Sequence, residues 1–154
     1  MIKAEGTDYG LRIVVSGDVT PAVLHEVQRT LHHHLTAIQG APSLFIDLRD
    51  VAVAPESDED LMRGILKYIL KRGVDRAAVI FTTSTQILSL AKLVNAEKAT
   101  DKVRYFSPIF RGDWEVYALK WLTDGKCPIT YHPGSSGAHP IITAIDIERI
   151  EKCR

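Results

Sequence analysis

The chain is predicted to fold as an α/β domain: a mixed, mostly parallel sheet of about five strands packed against four helices, with a C-terminal β extension. Three observations predict it. Short apolar runs such as "LFIDL" and "AAVIF" lack a polar face, as central parallel strands do. Apolar residues recur at helical spacing in the segments between such runs. The two patterns alternate in the order β-β-α-β-α-β-α-β-α, which implies right-handed crossovers.

Each element has its own signal. "MIKAEGTDYGLRIVVSG" reads as two short strands around a turn at Asp8-Tyr9-Gly10, the second running from Leu11 to Ser16. A helix follows, with Thr20 as cap and Pro21 at its first position. Leu24, Val27, Leu31, Leu35 and Ile38 form its apolar stripe, and Gly40 ends it. "APSLFIDL" is the central strand, expected to stop at Asp47. The second helix runs from about Ser57 to Arg72, with Leu61, Ile65, Leu66, Ile69 and Leu70 inward. Its acids come first and its bases last, matching the helix dipole, and Gly73 closes it. "RAAVIFTT" is a buried strand, "STQILSLAKLVNAEK" a third helix and "KVRYF" the last strand. "GDWEVYALKWLTDG" is the fourth helix, with Asp113 as cap and Trp114, Tyr117, Ala118, Trp121 and Leu122 on one stripe.

The bulk numbers narrow the function classes. The chain's 154 residues suit one domain, expected over 1–124, with 125–154 as a hairpin-like extension. That tail is a candidate for homodimerisation, because exposed β segments add to a sheet edge. Lys plus Arg and Asp plus Glu both number 19, so no net charge draws the chain to nucleic acid or anionic membrane. No apolar run approaches the roughly 20 residues of a membrane span. "MIKAEGTDYG" has no apolar leader core, so the expected location is the cytoplasm. Cys127 and Cys153 have no motif spacing and read as reduced thiols.

No catalytic or metal motif emerges. In "LHHHL" the three histidines point in different directions around the helix, and none has a histidine four residues away. "HPGSSGAHP" has loop composition rather than the strand-turn-helix of a nucleophile elbow. There is no phosphate loop and no Gly-x-Gly-x-x-Gly. We expect no enzyme, no metal and no cofactor.

The stretches "FIDLRDV" (45–51) and "VRYF" (103–106), followed by "WEVYALKWL", resemble the STAS family, the anti-sigma-factor-antagonist fold, in its SpoIIAA-like branch. The resemblance covers about residues 1 to 124. It implies a regulatory module that binds a protein partner. In regulatory members an Asp-Ser-Ser-Gly motif follows the central strand, and its second serine is phosphorylated by a partner kinase. The matching positions here are Pro55, Glu56, Ser57 and Asp58, so only that serine is kept. Ser57 reads from its own context as a helix N-cap, and by the resemblance as the candidate phosphorylation site.

Two functions follow as expectations. The first is a non-enzymatic protein-interaction module that docks through loop 49–60 and the following helix, using Arg49, Asp50, Glu56, Ser57, Asp58 and Glu59. The alternative is binding of an apolar small molecule or lipid, since some members of that branch resemble Sec14-like lipid-binding domains. Met62, Ile65, Leu88, Trp114, Tyr117 and Trp121 are the candidate pocket for it.

Overall fold

The sheet is laid down in chain order. In the computed structural model, which describes residues 1–52, 59–82, 91–109 and 112–125 (59–62 as backbone), five strands lie side by side as β1-β2-β3-β4-β5. β1 (Ile2–Thr7) and β2 (Gly10–Gly17) form an antiparallel hairpin. β3 (Ser43–Val51), β4 (Ala77–Ile80) and β5 (Val103–Phe106) each run parallel to the strand before. The helices are α1 (Pro21–Thr36), α2 (Glu59–Arg72), α3, described over 91–96, and α4 (Trp114–Asp124). This is the predicted α/β architecture. The C-terminal extension lies outside the described residues.

A parallel sheet extended always in one direction has a consequence for its faces. Right-handed crossovers that never reverse direction place every connecting helix on the same side. The packing follows that rule. Val27, Leu31 and Leu35 of α1, Leu66 and Ile69 of α2, and Leu93 and Val94 of α3 share one core with Leu11, Ile13 and Val15 of β2. β4 alternates accordingly: Ala77 and Val79 join this core, while Ala78 and Ile80 face the opposite one. The opposite core is smaller and is built by α4, which follows the last strand and is free of the crossover rule.

Local chemistry fixes the ends. The Thr20 hydroxyl accepts from the Val23 amide at 3.3 Å, as expected for the cap of α1. The last carbonyls of α1 are closed from outside the helix. Arg72 at the end of α2 donates to Leu35 O at 3.0 Å, Ile38 O at 2.6 Å and Gly40 O at 3.1 Å. One guanidinium thereby ties the end of α2 to the last turn of α1 and to the loop after it, adding to the bond that Leu35 O accepts from the Ile38 amide. α4 begins at Asp113, but the Asp113 carboxylate makes no capping bond. Gly125 closes it in the left-handed conformation.

Two boundaries differ from expectation. β4 stops at Ile80 instead of running on through the threonines. β3 does not stop at Asp47 but continues to Val51. Val14 pairs with Asp47 but Ser16 with Asp50, so β3 carries one extra residue opposite β2 there. The bulge lets the strand continue through a polar stretch.

The start of β2 depends on glycine. Gly10 has φ +147°, and a Cβ there would press on the Ser43 carbonyl oxygen and sit 2.8 Å from the Ser43 nitrogen. We predict that Gly10→Ala destabilises the fold by at least about 2 kcal/mol, through backbone strain and the clash at the β2–β3 junction. Urea unfolding at neutral pH measures it.

Candidate functional site at the carboxyl end of the third strand

Asp47 is the most buried charged residue among those described. Its side chain is 5% exposed. Burial by itself would push this carboxyl up, but the hydrogen bonds and charge of Arg49 outweigh it and hold the carboxyl below its ordinary value. The two residues are two apart on β3 and so project from the same face. Arg49 Nη2 donates to Asp47 Oδ2 at 2.7 Å, and Nε donates to Oδ1 at 3.0 Å. The Arg49 amide also donates to Oδ1, at 3.1 Å. These bonds with Asp47 in turn push the Arg49 guanidinium higher.

The guanidinium has a second anchor. It lies 4.6 Å from the ring centre of Trp114, the first residue of α4. The motif repeats across this face. Arg12 of β2 stacks at 4.6 Å on the Phe45 ring and reaches Glu115 at 3.7 Å. Arg104 of β5 stacks at 4.5 Å on Trp121. Trp121 donates from Nε1 to the buried Ala77 carbonyl at 3.3 Å. Tyr9 packs against the same core, and burial raises its phenol above the ordinary value. The smaller core is therefore sealed by arginines with rings beneath them and water above.

The strand ends beyond are tied together. The Thr82 hydroxyl donates to the Arg49 carbonyl at 3.1 Å, joining the end of β3 to the end of β4. The buried Ser107 hydroxyl donates to Phe81 O at 2.6 Å and accepts from the Ile109 amide at 3.3 Å. Asp50, paired with Ser16, is exposed just past the bulge. Arg49 and Asp50 thus stand at a fixed edge where the chain leaves the sheet.

The other predicted site residues divide. Glu56, Ser57 and Asp58 lie outside the described residues, and Glu59 is described as the first residue of α2. Met62 is described as backbone within α2, and Leu88 lies outside. The candidate apolar pocket needs correction. Ile65 packs in the larger core, whereas Trp114, Tyr117 and Trp121 belong to the smaller one. The sheet stands between them, so they cannot line one cavity. The sequence pattern shows each helix's apolar stripe but not which face of the sheet that stripe covers.

A hollow of about 490 Å³ does exist, at the amino end of the sheet. It lies between the β1–β2 turn and the end of α1, lined by Thr7, Asp8, His33, His34, Ala37 and Ile38 among others. That lining mixes turn residues and two histidines with the aliphatic Leu11, Ala37 and Ile38, and it contains none of the predicted pocket residues. His34 Nδ1 donates to Thr30 O at 3.1 Å, and His32 Nδ1 lies 3.2 Å from the Tyr68 hydroxyl. Among the described residues no three His, Cys, Asp or Glu side chains are placed to hold a metal ion. Among them, too, no helix is long and apolar enough to cross a membrane.

No family model and no curated protein matches the chain. Among solved structures it is similar to an anti-sigma factor antagonist from Mycobacterium paratuberculosis. The identity is 12%, the match covers 77% of this chain and 93% of that one, and the TM-score is 0.49.

The Asp47–Arg49 pair sets a pH dependence. The folded carboxyl lies below its unfolded value of about 3.9, so its stabilisation is complete above that pH and is lost as pH falls through the folded value. We predict that wild type loses more stability between pH 7 and pH 3 than Asp47→Asn does, measured by urea midpoints. We further predict that Arg49→Ala costs about 2 kcal/mol at pH 7, by leaving the buried carboxylate without its donors. Arg49→Lys should recover only part, because an ammonium cannot bind both oxygens and stack on Trp114 together.

Proposed function

We propose that the chain is a non-enzymatic, regulatory protein-interaction module that docks a protein partner through segment 49–60 and α2. The observation that carries this reading is the anchoring of Arg49. It is held by a buried carboxylate, an aromatic ring and a neighbouring strand at once. A surface group immobilised in this way loses little side-chain freedom when a partner binds. Asp50 beside it is exposed, and the chain from there to α2 is rich in acids: Glu56, Asp58, Glu59 and Asp60. This supports docking against a basic surface, with electrostatics setting the rate of encounter. Phosphorylation at Ser57 would deepen that charge.

The topology supports the non-enzymatic part. Open α/β sheets form ligand crevices where strand order reverses and neighbouring crossovers part to opposite faces. The parallel strands here run β2-β3-β4-β5 without reversal. The resemblance of "FIDLRDV" and "VRYF" to the STAS family supports the regulatory role.

The test is site-directed photo-cross-linking in the cells that make the protein. A photoreactive residue replacing Asp50 should trap a discrete protein. The same residue replacing Thr123, exposed on α4, should not. Arg49→Ala should reduce the Asp50 cross-link several-fold. Equal labelling from both positions, or none from Asp50, rejects the docking surface.

A further inference from the structure

Gly6 is a glycine inside a strand, and its backbone does not require one. Its φ is not positive. It sits in the regular antiparallel register of β1 with β2, opposite Leu11, and no bulge interrupts the pairing there. Glycine weakens a strand interior, and it is useful there where something must come close to the backbone. The alternation of β1 shows from which side. Ile2 and Ala4 pack on the larger core, beneath α1, so a side chain at position 6 would point to that same face. A Cβ built on Gly6 meets nothing within 4 Å among the described residues. In place of that side chain lies the hollow of about 490 Å³ at the amino end of the sheet, with Gly6 in its lining.

The walls of the hollow are fixed. Gly6 and its cross-strand partner Leu11, which is fully buried, form the strand side. The β1–β2 turn is held by the bond from the Gly10 amide to Thr7 Oγ1 at 3.1 Å and by the Ser43 amide on Tyr9 O at 2.9 Å. The last turn of α1 is held by the burial of Leu35 and by Arg72 on Leu35 O and Ile38 O. A ligand here meets a preformed space of the size that small-molecule sites have.

The lining selects the chemistry of that ligand. Leu11, Ala37 and Ile38 suit an apolar body. Asp8 is the one acid in the lining, which holds no Lys or Arg, and among the described residues Asp8 forms no ion pair. His34 adds an acceptor: its Nδ1 donates to Thr30 O at 3.1 Å, which leaves the lone pair of the neutral ring on Nε2. Asp8, His33 and His34 are not placed to hold a metal ion together. We propose that the hollow binds a small organic cation, a primary or secondary ammonium on an apolar body. Its charge faces Asp8, and its body fills the space that Gly6 leaves open beside Leu11, Ala37 and Ile38. The site lies at the opposite end of the sheet from the docking segment and stands independently of it.

The experiment is an NMR titration of the 15N-labelled full chain at neutral pH with three probes of one shape: n-butylammonium, n-butanol and butyrate. Asp8 is exposed, so binding is weak, and the titration runs to about 20 mM. The ammonium should shift the amides of Gly6, Leu11 and Ala37 saturably, and butyrate should bind at least about fivefold more weakly. Asp8→Asn should weaken butylammonium at least about threefold and leave butanol unchanged. Gly6→Ile should abolish the shifts from all three while keeping or raising the urea midpoint, since isoleucine is the better strand residue and fills the hollow. Ala37→Leu fills it from the α1 side and should abolish them without altering β1. The proposal is overturned if no probe shifts these amides saturably, or if butyrate binds as well as butylammonium. Indifference to Asp8→Asn overturns it too, as does a filled variant that binds as the wild type does.

Discussion

The structure depends on one constraint: a right-handed crossover repeated without reversal. Strands β2 to β5 are added in sequence, each beside the last. Handedness then sends α1, α2 and α3 to one face, and their apolar stripes fill it. The other face receives no crossover helix. Without cover, Phe45, Ala78, Ile80 and Phe106 would lie in water, a loss of roughly 25 cal/mol for each Å² of apolar surface left exposed. α4 supplies that cover, and with only 11 residues it must use large side chains. Two tryptophans on one stripe are the outcome.

The arginines follow from the same constraint. A short helix cannot cover the full width of five strands. Among the described residues, Arg12, Arg49 and Arg104 cover the rings at its edges with their stems and planar heads. Arg49 differs from the others because Asp47 beneath it is buried and ionised. A buried carboxylate is unfavourable without donors, so the pair is fixed by need rather than by surface attraction. That rigidity falls where β3 bulges and the chain leaves the sheet. The feature that completes the smaller core therefore also holds the start of the candidate docking segment.

Much of this was legible in the sequence, and the rest was illegible for definite reasons. The α1 stripe, its Thr20 cap and the α4 stripe rest on local periodicity, which a sequence displays directly. The strands of the parallel sheet were visible as apolar runs, yet β3 was expected to end at Asp47. An acid at a run's end looks like a boundary. Its partner two residues on makes it interior, and the i, i+2 spacing "DLR" was the available signal. The bulge left no trace, since it depends on pairing with β2. The sequence groups Ile65 and Trp114 in one pocket because an apolar stripe says what a helix buries, not which face of the sheet receives it. The crossover rule separates them only once the spatial order of the strands is known. Arg72 as an external cap for α1 joins residues more than 30 apart, beyond any local pattern.

These facts bear on how one chain can carry both a core and a docking surface. α2 buries Leu66 and Ile69 while α1 and α3 brace its flanks through Tyr68, Arg72 and the Glu97 contacts. The helix is thereby held in one orientation on the sheet. Gly64 weakens the helix that contains it, and the charges around it are sorted by sign rather than mixed. A helix held in place on three sides tolerates such a glycine, because tertiary packing supplies most of its stability. The same glycine in an unbraced helix would threaten the fold. The bracing of α2 is thus the condition under which its outer surface can serve recognition.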